Sequence, residues 1–141
     1  MKNSFTILIV LFALNLVQAQ KEEKKLIKQT IEMYFDGWLT SDILKLGKAM
    51  HSSCNLKNIK DNQVIVIERK NYLSRFKLRP KLANAEGRIV EINSTKNIAS
   101  AKCEIETADK IFTDYFNMMK LNGEWYIVDK ISTNFEKVKS K

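Results

Sequence analysis

The stretch that decides the fold is residues 111–132, IFTDYFNMMKLNGEWYIVDKIS. Two runs rich in aromatic and β-branched residues flank Asn122-Gly123. An Asn-Gly pair between alternating runs predicts a β-hairpin, because both turn residues must accept positive φ. The turn fixes the register, and the register decides which side chains share a face. Counting outward, Lys120 opposes Trp125, Met118 opposes Ile127, Phe116 opposes Asp129 and Asp114 opposes Ile131. One face then carries Phe112, Phe116, Met118, Trp125, Ile127 and Ile131, with Asp114 and Asp129 set among them. Diagonal neighbours across a hairpin lie roughly 7 Å apart or less, so this count predicts two close carboxylates on an apolar face.

Upstream of the hairpin the chain also alternates. Residues 98–107 predict a strand with Ala99, Ala101, Cys103 and Ile105 on one side. Residues 93–97 form a turn, and Ile89 to Ile92 belong to the strand before it. Further back the period becomes helical. Residues 22–39 place Leu26, Ile27, Thr30, Met33, Tyr34 and Trp38 on one stripe, with Gly37 interrupting near the end. Thr40-Ser41-Asp42 caps a second helix that ends near His51, and residues 52–55 read as a loop. Asp61-Asn62 joins two short strands, and residues 69–78 predict a third helix, stopped by Arg79-Pro80. Helices first and a meander of strands after argue for an α+β domain.

The chain has 141 residues, enough for one sizeable core. Lys2, the apolar run of residues 5–17 and Val17-Gln18-Ala19 predict an export signal over residues 1–19. The run is shorter than the about 20 residues a membrane span needs, and a retained anchor is the alternative. The domain then covers residues 20–136, and residues 137–141 form a basic tail. Export predicts a secreted or periplasmic protein with no membrane attachment after cleavage. Losing Lys2 lowers the formal net charge of +8 by one. The positive residues are scattered, which reads as a solvated surface with some preference for anions. No stacking motif or recognition helix points to nucleic acid. One histidine and no CxxC predict no metal, and no cofactor is expected. Cys54 and Cys103 allow one disulfide or two buried thiols.

Taken in order, Tyr34 with Gly37-Trp38, Asp42, His51, Arg69 with Tyr72, Asp114-Tyr115-Phe116 and the closing Gly123, Trp125, Ile127 and Lys130 resemble the nuclear transport factor 2-like superfamily. Within it the chain is most similar to the small bacterial proteins grouped as putative lumazine-binding, over about residues 22–135. The resemblance implies a cone-shaped α+β fold with three N-terminal helices packed on a curved antiparallel sheet. It also implies an apolar cavity between them and a homodimer formed through the sheet. Superfamily members include isomerases, dehydratases and binding modules, so the fold leaves the chemistry open.

The expected ligand site comprises Tyr34, Trp38, His51, Asp114, Phe116, Trp125 and Asp129. Trp38, Phe116 and Trp125 supply flat apolar walls for a small planar ligand. Asp114, His51 and Tyr34 are the candidates for acid–base chemistry of an isomerase or lyase, since a buried carboxyl beside an ionised one can titrate near neutrality. Against this, Asp114 can pair with Arg69, Arg75 or Lys130, Asp129 can meet solvent, and His51 can simply end a helix. The leading expectation is an exported small-molecule-binding protein. A non-catalytic dimeric module, with Tyr115, Met119 and Tyr126 on the outer face, is the third reading.

Overall fold

The computed structural model describes the backbone of residues 2–138 and the side chains from residue 18 onward. The apolar run read as an export signal lies outside the described side chains, and residues 139–141 of the expected tail lie outside the described residues. In chain order the elements are α1 (Lys2–Thr40), α2 (Ile43–Ala49), β1 (Met50–Lys60), β2 (Gln63–Glu68), α3 (Arg69–Leu73), β3 (Glu86–Thr95), β4 (Ile98–Glu106), β5 (Lys110–Leu121) and β6 (Glu124–Glu136). The strands make one sheet in the order β2-β1-β6-β5-β4-β3. Neighbours are antiparallel except β1 and β6, which run parallel. The first hairpin is thus docked on the edge of the last strand, a pairing local turns cannot specify.

Asn122 and Gly123 take φ values of 51° and 88°, as the two-residue hairpin requires. Near this turn the register follows the simple count, with Lys120 opposite Trp125 and Met118 opposite Ile127. Beyond it the count fails. Val128 has no partner, so Asn117 faces Asp129, Phe116 faces Lys130 and Asp114 faces Ser132. A β-bulge adds one residue to a strand and bends it. Here it also exchanges inside for outside along the rest of β6. Lys130 enters the core at 3% exposure, whereas Ile131 is 50% exposed. A second bulge, at Val90 in β3, bends the sheet at its other side.

Helix α1 lies across the concave face, burying Ile27, Ile31, Tyr34, Phe35 and Leu39 at the three-to-four spacing of an amphipathic helix. It runs through Gly37, where a Cβ would come within 2.9 Å of the Leu46 backbone nitrogen. The missing side chain therefore lets α2 pack closely. Ser41 then adopts φ 53°, with the Ser41 N–H donating to the Trp38 carbonyl (3.3 Å) and the Asp42 N–H to the Gly37 carbonyl (2.8 Å). This pattern satisfies the last carbonyls of a helix. The Asp42 carboxylate next accepts from the Leu44 and Lys45 N–H groups at the start of α2, the expected cap.

Several element bounds differ from the sequence reading, beginning with α1, which starts at Lys2 and not at residue 22. Helix α2 stops at Ala49, so His51 and residues 52–55 lie in β1. Helix α3 stops at Leu73, short of the expected Leu78. The chain after it is drawn onto the end of α1, where the Arg79 N–H donates to the Thr40 carbonyl (2.9 Å) and the Leu82 N–H to the Leu39 carbonyl (3.1 Å). Those carbonyls have no partner within their own helix. The third helix lies between β2 and β3, where the order along the chain put it, and not with the first two as the family resemblance implied.

Candidate functional site

The rings of Trp38, near the end of α1, and Phe112, near the start of β5, meet with centroids 5.2 Å apart. Beside them β1 and β6 pair as far as Lys57 and Ile131, and no pairs follow. At this fork lies a cleft of about 670 Å³, within the ordinary range for small-molecule sites. Trp38, Leu56, Tyr72 and Phe112 form apolar walls, while Asn58, Ser132, Asn134, Arg75 and Lys130 contribute polar groups. A hollow of similar volume, about 690 Å³, lies over β3, β4, β5 and β6 and is lined by Asn93, Ser94, Thr95, Ser100, Asn117 and Asp129 among others. It has no aromatic wall.

Beneath the cleft the Lys130 ammonium donates to the Asp114 carboxylate at 2.6 Å, with both side chains less than 5% exposed. The Ser132 hydroxyl donates to the same Asp114 oxygen, also at 2.6 Å. Lys130 Nζ stands 5.8 Å from the ring centroids of both Tyr34 and Tyr72, close enough for cation–π attraction. The two phenol oxygens are 2.9 Å apart and share a hydrogen bond. Among the described residues no buried side-chain polar atom lacks a partner, as a low-dielectric network requires.

Burial governs the titration of this network. It pulls the Lys130 ammonium below the usual lysine range, against the opposing charge and hydrogen bond of Asp114. It pushes the Tyr34 phenol well above its ordinary value, reinforced by Tyr72 and Asp114. Tyr72 is also raised by burial, while its bond to Tyr34 and the charge of Arg75 pull the other way. The thiols of Cys54 and Cys103 are each pushed up to about 12, again chiefly by burial. Both thiols are free. They sit on β1 and β4 with β6 and β5 between them, so three inter-strand steps of ~4.8 Å separate their strands. A disulfide needs Cα atoms within about 7 Å, and this spacing keeps the thiols apart.

The sequence family described as "Putative lumazine-binding" matches residues 22–132. The chain belongs to this family. Solved structures give the same fold. A nuclear transport factor 2-like protein of unknown function from Shewanella baltica is 22% identical, with a TM-score of 0.74, over 81% of this chain and 94% of that one. A second, from Silicibacter pomeroyi, is 15% identical with a TM-score of 0.74, over 82% and 98%. A protein described as a putative scytalone dehydratase, from Novosphingobium aromaticivorans, is 11% identical with a TM-score of 0.63, over 88% and 93%. No curated protein sequence matches. At these identities the likeness establishes the nuclear transport factor 2-like fold.

The seven residues expected at a ligand site are not one cluster in this family member. Trp38 lines the cleft. Tyr34 and Asp114 stand directly behind it, reached through Tyr72 and Lys130. Phe116 is deeper, with its ring 4.9 Å from that of Tyr34 and tilted edge-on. Trp125 lies beside an earlier part of α1, where its indole N–H donates to the Glu23 carboxylate (2.9 Å) and its carbonyl accepts from the Thr30 hydroxyl (3.1 Å). His51 is on the outer side, with Nδ1 2.8 Å from the Ser53 hydroxyl and its ring 5.9 Å from Tyr126. Asp129 also faces outward, where it pairs with Lys57. The expected neighbourhood of Asp114 and Asp129 is therefore corrected, because the bulge at Val128 sends them to opposite faces.

The sequence reading did not place Tyr72, Arg75, Lys130 and Ser132 at the site. Tyr72 was legible as an apolar helix position. Lys130 and Ser132 follow the bulge, and alternation counted from the turn puts them on the wrong side.

Proposed function

We propose that this protein is an exported small-molecule-binding protein, whose site is the cleft at the fork of β1 and β6. The observation that carries this reading is the combination of Trp38, Tyr72 and Phe112 as walls with Lys130 and Ser132 at the floor. Flat apolar walls with a few fixed polar groups suit a planar ligand. The family description supports binding over turnover, and so does the chemistry of the site. Asp114 is 2% exposed and held by Lys130 and Ser132. A general base must reach the proton it removes. No carboxylate and no histidine stand among the described residues that line the cleft. The outer sheet face, with Ile98, Tyr115 and Ile131 each about half exposed, is where a homodimer would form.

Native mass spectrometry of the protein purified from its own host tests the reading. The expected result is a retained small molecule, lost in Trp38→Ala and Phe112→Ala variants whose circular dichroism is unchanged. A protein that retains nothing, and that binds no aromatic fluorescent probe in a Trp38-dependent way, would refute it.

A further inference from the structure

We infer that the cleft selects a planar ligand carrying an anionic group, and that Arg75 at its rim is the residue that pairs with that group. The inference rests on the cleft being the ligand site and adds the charge of what enters it. Three cations line the cleft, Lys57, Arg75 and Lys130, and no acid does. Two of them are already neutralised, Lys57 by Asp129 and Lys130 by Asp114. Among the described residues Arg75 alone of the three has no ion-pair or side-chain hydrogen-bond partner. A guanidinium presents a planar fork that suits carboxylate, sulfonate or phosphate.

Placement supports the same conclusion. Arg75 follows Tyr72 by one helical turn, and its backbone N–H donates to the Tyr72 carbonyl at 3.2 Å. Both side chains line the cleft, and the Arg75 charge is felt at the Tyr72 phenol, so an aromatic body stacked inside the cleft would leave its charged substituent near Arg75. A few residues further on, the backbone N–H groups of residues 79 and 82 donate to the carbonyls at the end of α1. From residue 69 to residue 85 the chain carries Arg69, Lys70, Arg75, Lys77, Arg79 and Lys81 and no acidic residue. The segment that carries Arg75 therefore brings no carboxylate of its own to compete for the guanidinium. The ligand is thus an aromatic or conjugated acid, with an apolar body between Trp38, Tyr72 and Phe112.

Two fluorescent probes with the same arylamine skeleton test the charge. Anilinonaphthalene sulfonate is anionic and phenylnaphthylamine is neutral. Both are titrated against the wild type, Arg75→Gln, Arg75→Lys and Trp38→Ala. The expected result is that Arg75→Gln weakens the sulfonate by about tenfold, the worth of one charge-assisted hydrogen bond. The neutral probe is unchanged, Arg75→Lys recovers part of the loss, and added salt weakens only the sulfonate. Equal binding of both probes to the wild type, with no effect of Arg75→Gln on either, would overturn the anion inference and leave the cleft standing. Binding that ignores Trp38→Ala, or no binding of either probe, would overturn the cleft reading and this inference with it.

Discussion

Removing one partner of the Asp114–Lys130 pair has consequences that can be worked from its surroundings. Both side chains are sealed, at 2% and 4% exposure, with a 2.6 Å contact. Taking either charge away leaves the other in a low-dielectric site, which typically costs about 3–5 kcal/mol. Domains of this size have a total stability of roughly 5–15 kcal/mol, so Lys130→Met removes a large share of it. Asp114→Asn belongs to the same range, although its amide oxygen can still accept from Ser132. The double variant Asp114→Asn/Lys130→Met holds no buried charge, so its loss is expected to fall at least about 2 kcal/mol short of the sum of the singles. Urea unfolding followed by tryptophan fluorescence gives all four values, with a constant slope as the check on two-state behaviour. If the single losses add to within about 0.5 kcal/mol, the two residues do not interact and the account of the buried pair is wrong.

Alkaline stability depends on the buried thiols. The native pKa of Cys54 and of Cys103, about 12, is raised from an ordinary 9.0. Their stabilisation is therefore complete below pH 9 and is lost as pH rises towards 12, at up to about 1.4 kcal/mol per pH unit for each thiol. Tyr34 and Tyr72 add loss in the same sense at higher pH, and Lys130 opposes it. Unfolding midpoints across this range are expected to fall, and to fall less steeply in Cys103→Ala; a flat profile contradicts the burial argument. Tyr72→Phe removes the bond between the two phenols and is expected to cost about 1 kcal/mol, which the same urea titration measures. Gly87→Ala would place a Cβ 2.4 Å from the Phe35 ring, so a loss of about 1–3 kcal/mol from overpacking is expected, and an unchanged thermal midpoint would show that Phe35 can move aside.

The two halves of the site differ in how far they could be read in advance. Trp38 was legible because its place on the stripe of α1 follows from local periodicity. The hairpin around Asn122-Gly123 was legible because its turn chemistry is local. Asp129 and Lys130 were misplaced because a bulge leaves no mark on hydrophobic alternation. Val128 is an ordinary β-branched strand residue, and only the register against the partner strand reveals that it has no partner. Arg69 was read as one of three cations able to pair with Asp114, yet its guanidinium donates to the carbonyls of Gly47 and Met50, which lie some twenty positions away along the chain and meet it only after folding.

By itself the sequence determined the α+β class, the first two helices, the closing hairpin and the order of elements that places the chain in its family. Each of these rests on propensity, period or turn residues acting over a few positions. The tertiary structure decided the parallel docking of β1 on β6, the reversal of faces at Val128 and the enclosure of Lys130 with Asp114. Those depend on which strand edges meet and on a curvature shared by the whole sheet. The cleft exists where β1 and β6 part company, and that place is set by packing between residues more than seventy positions apart.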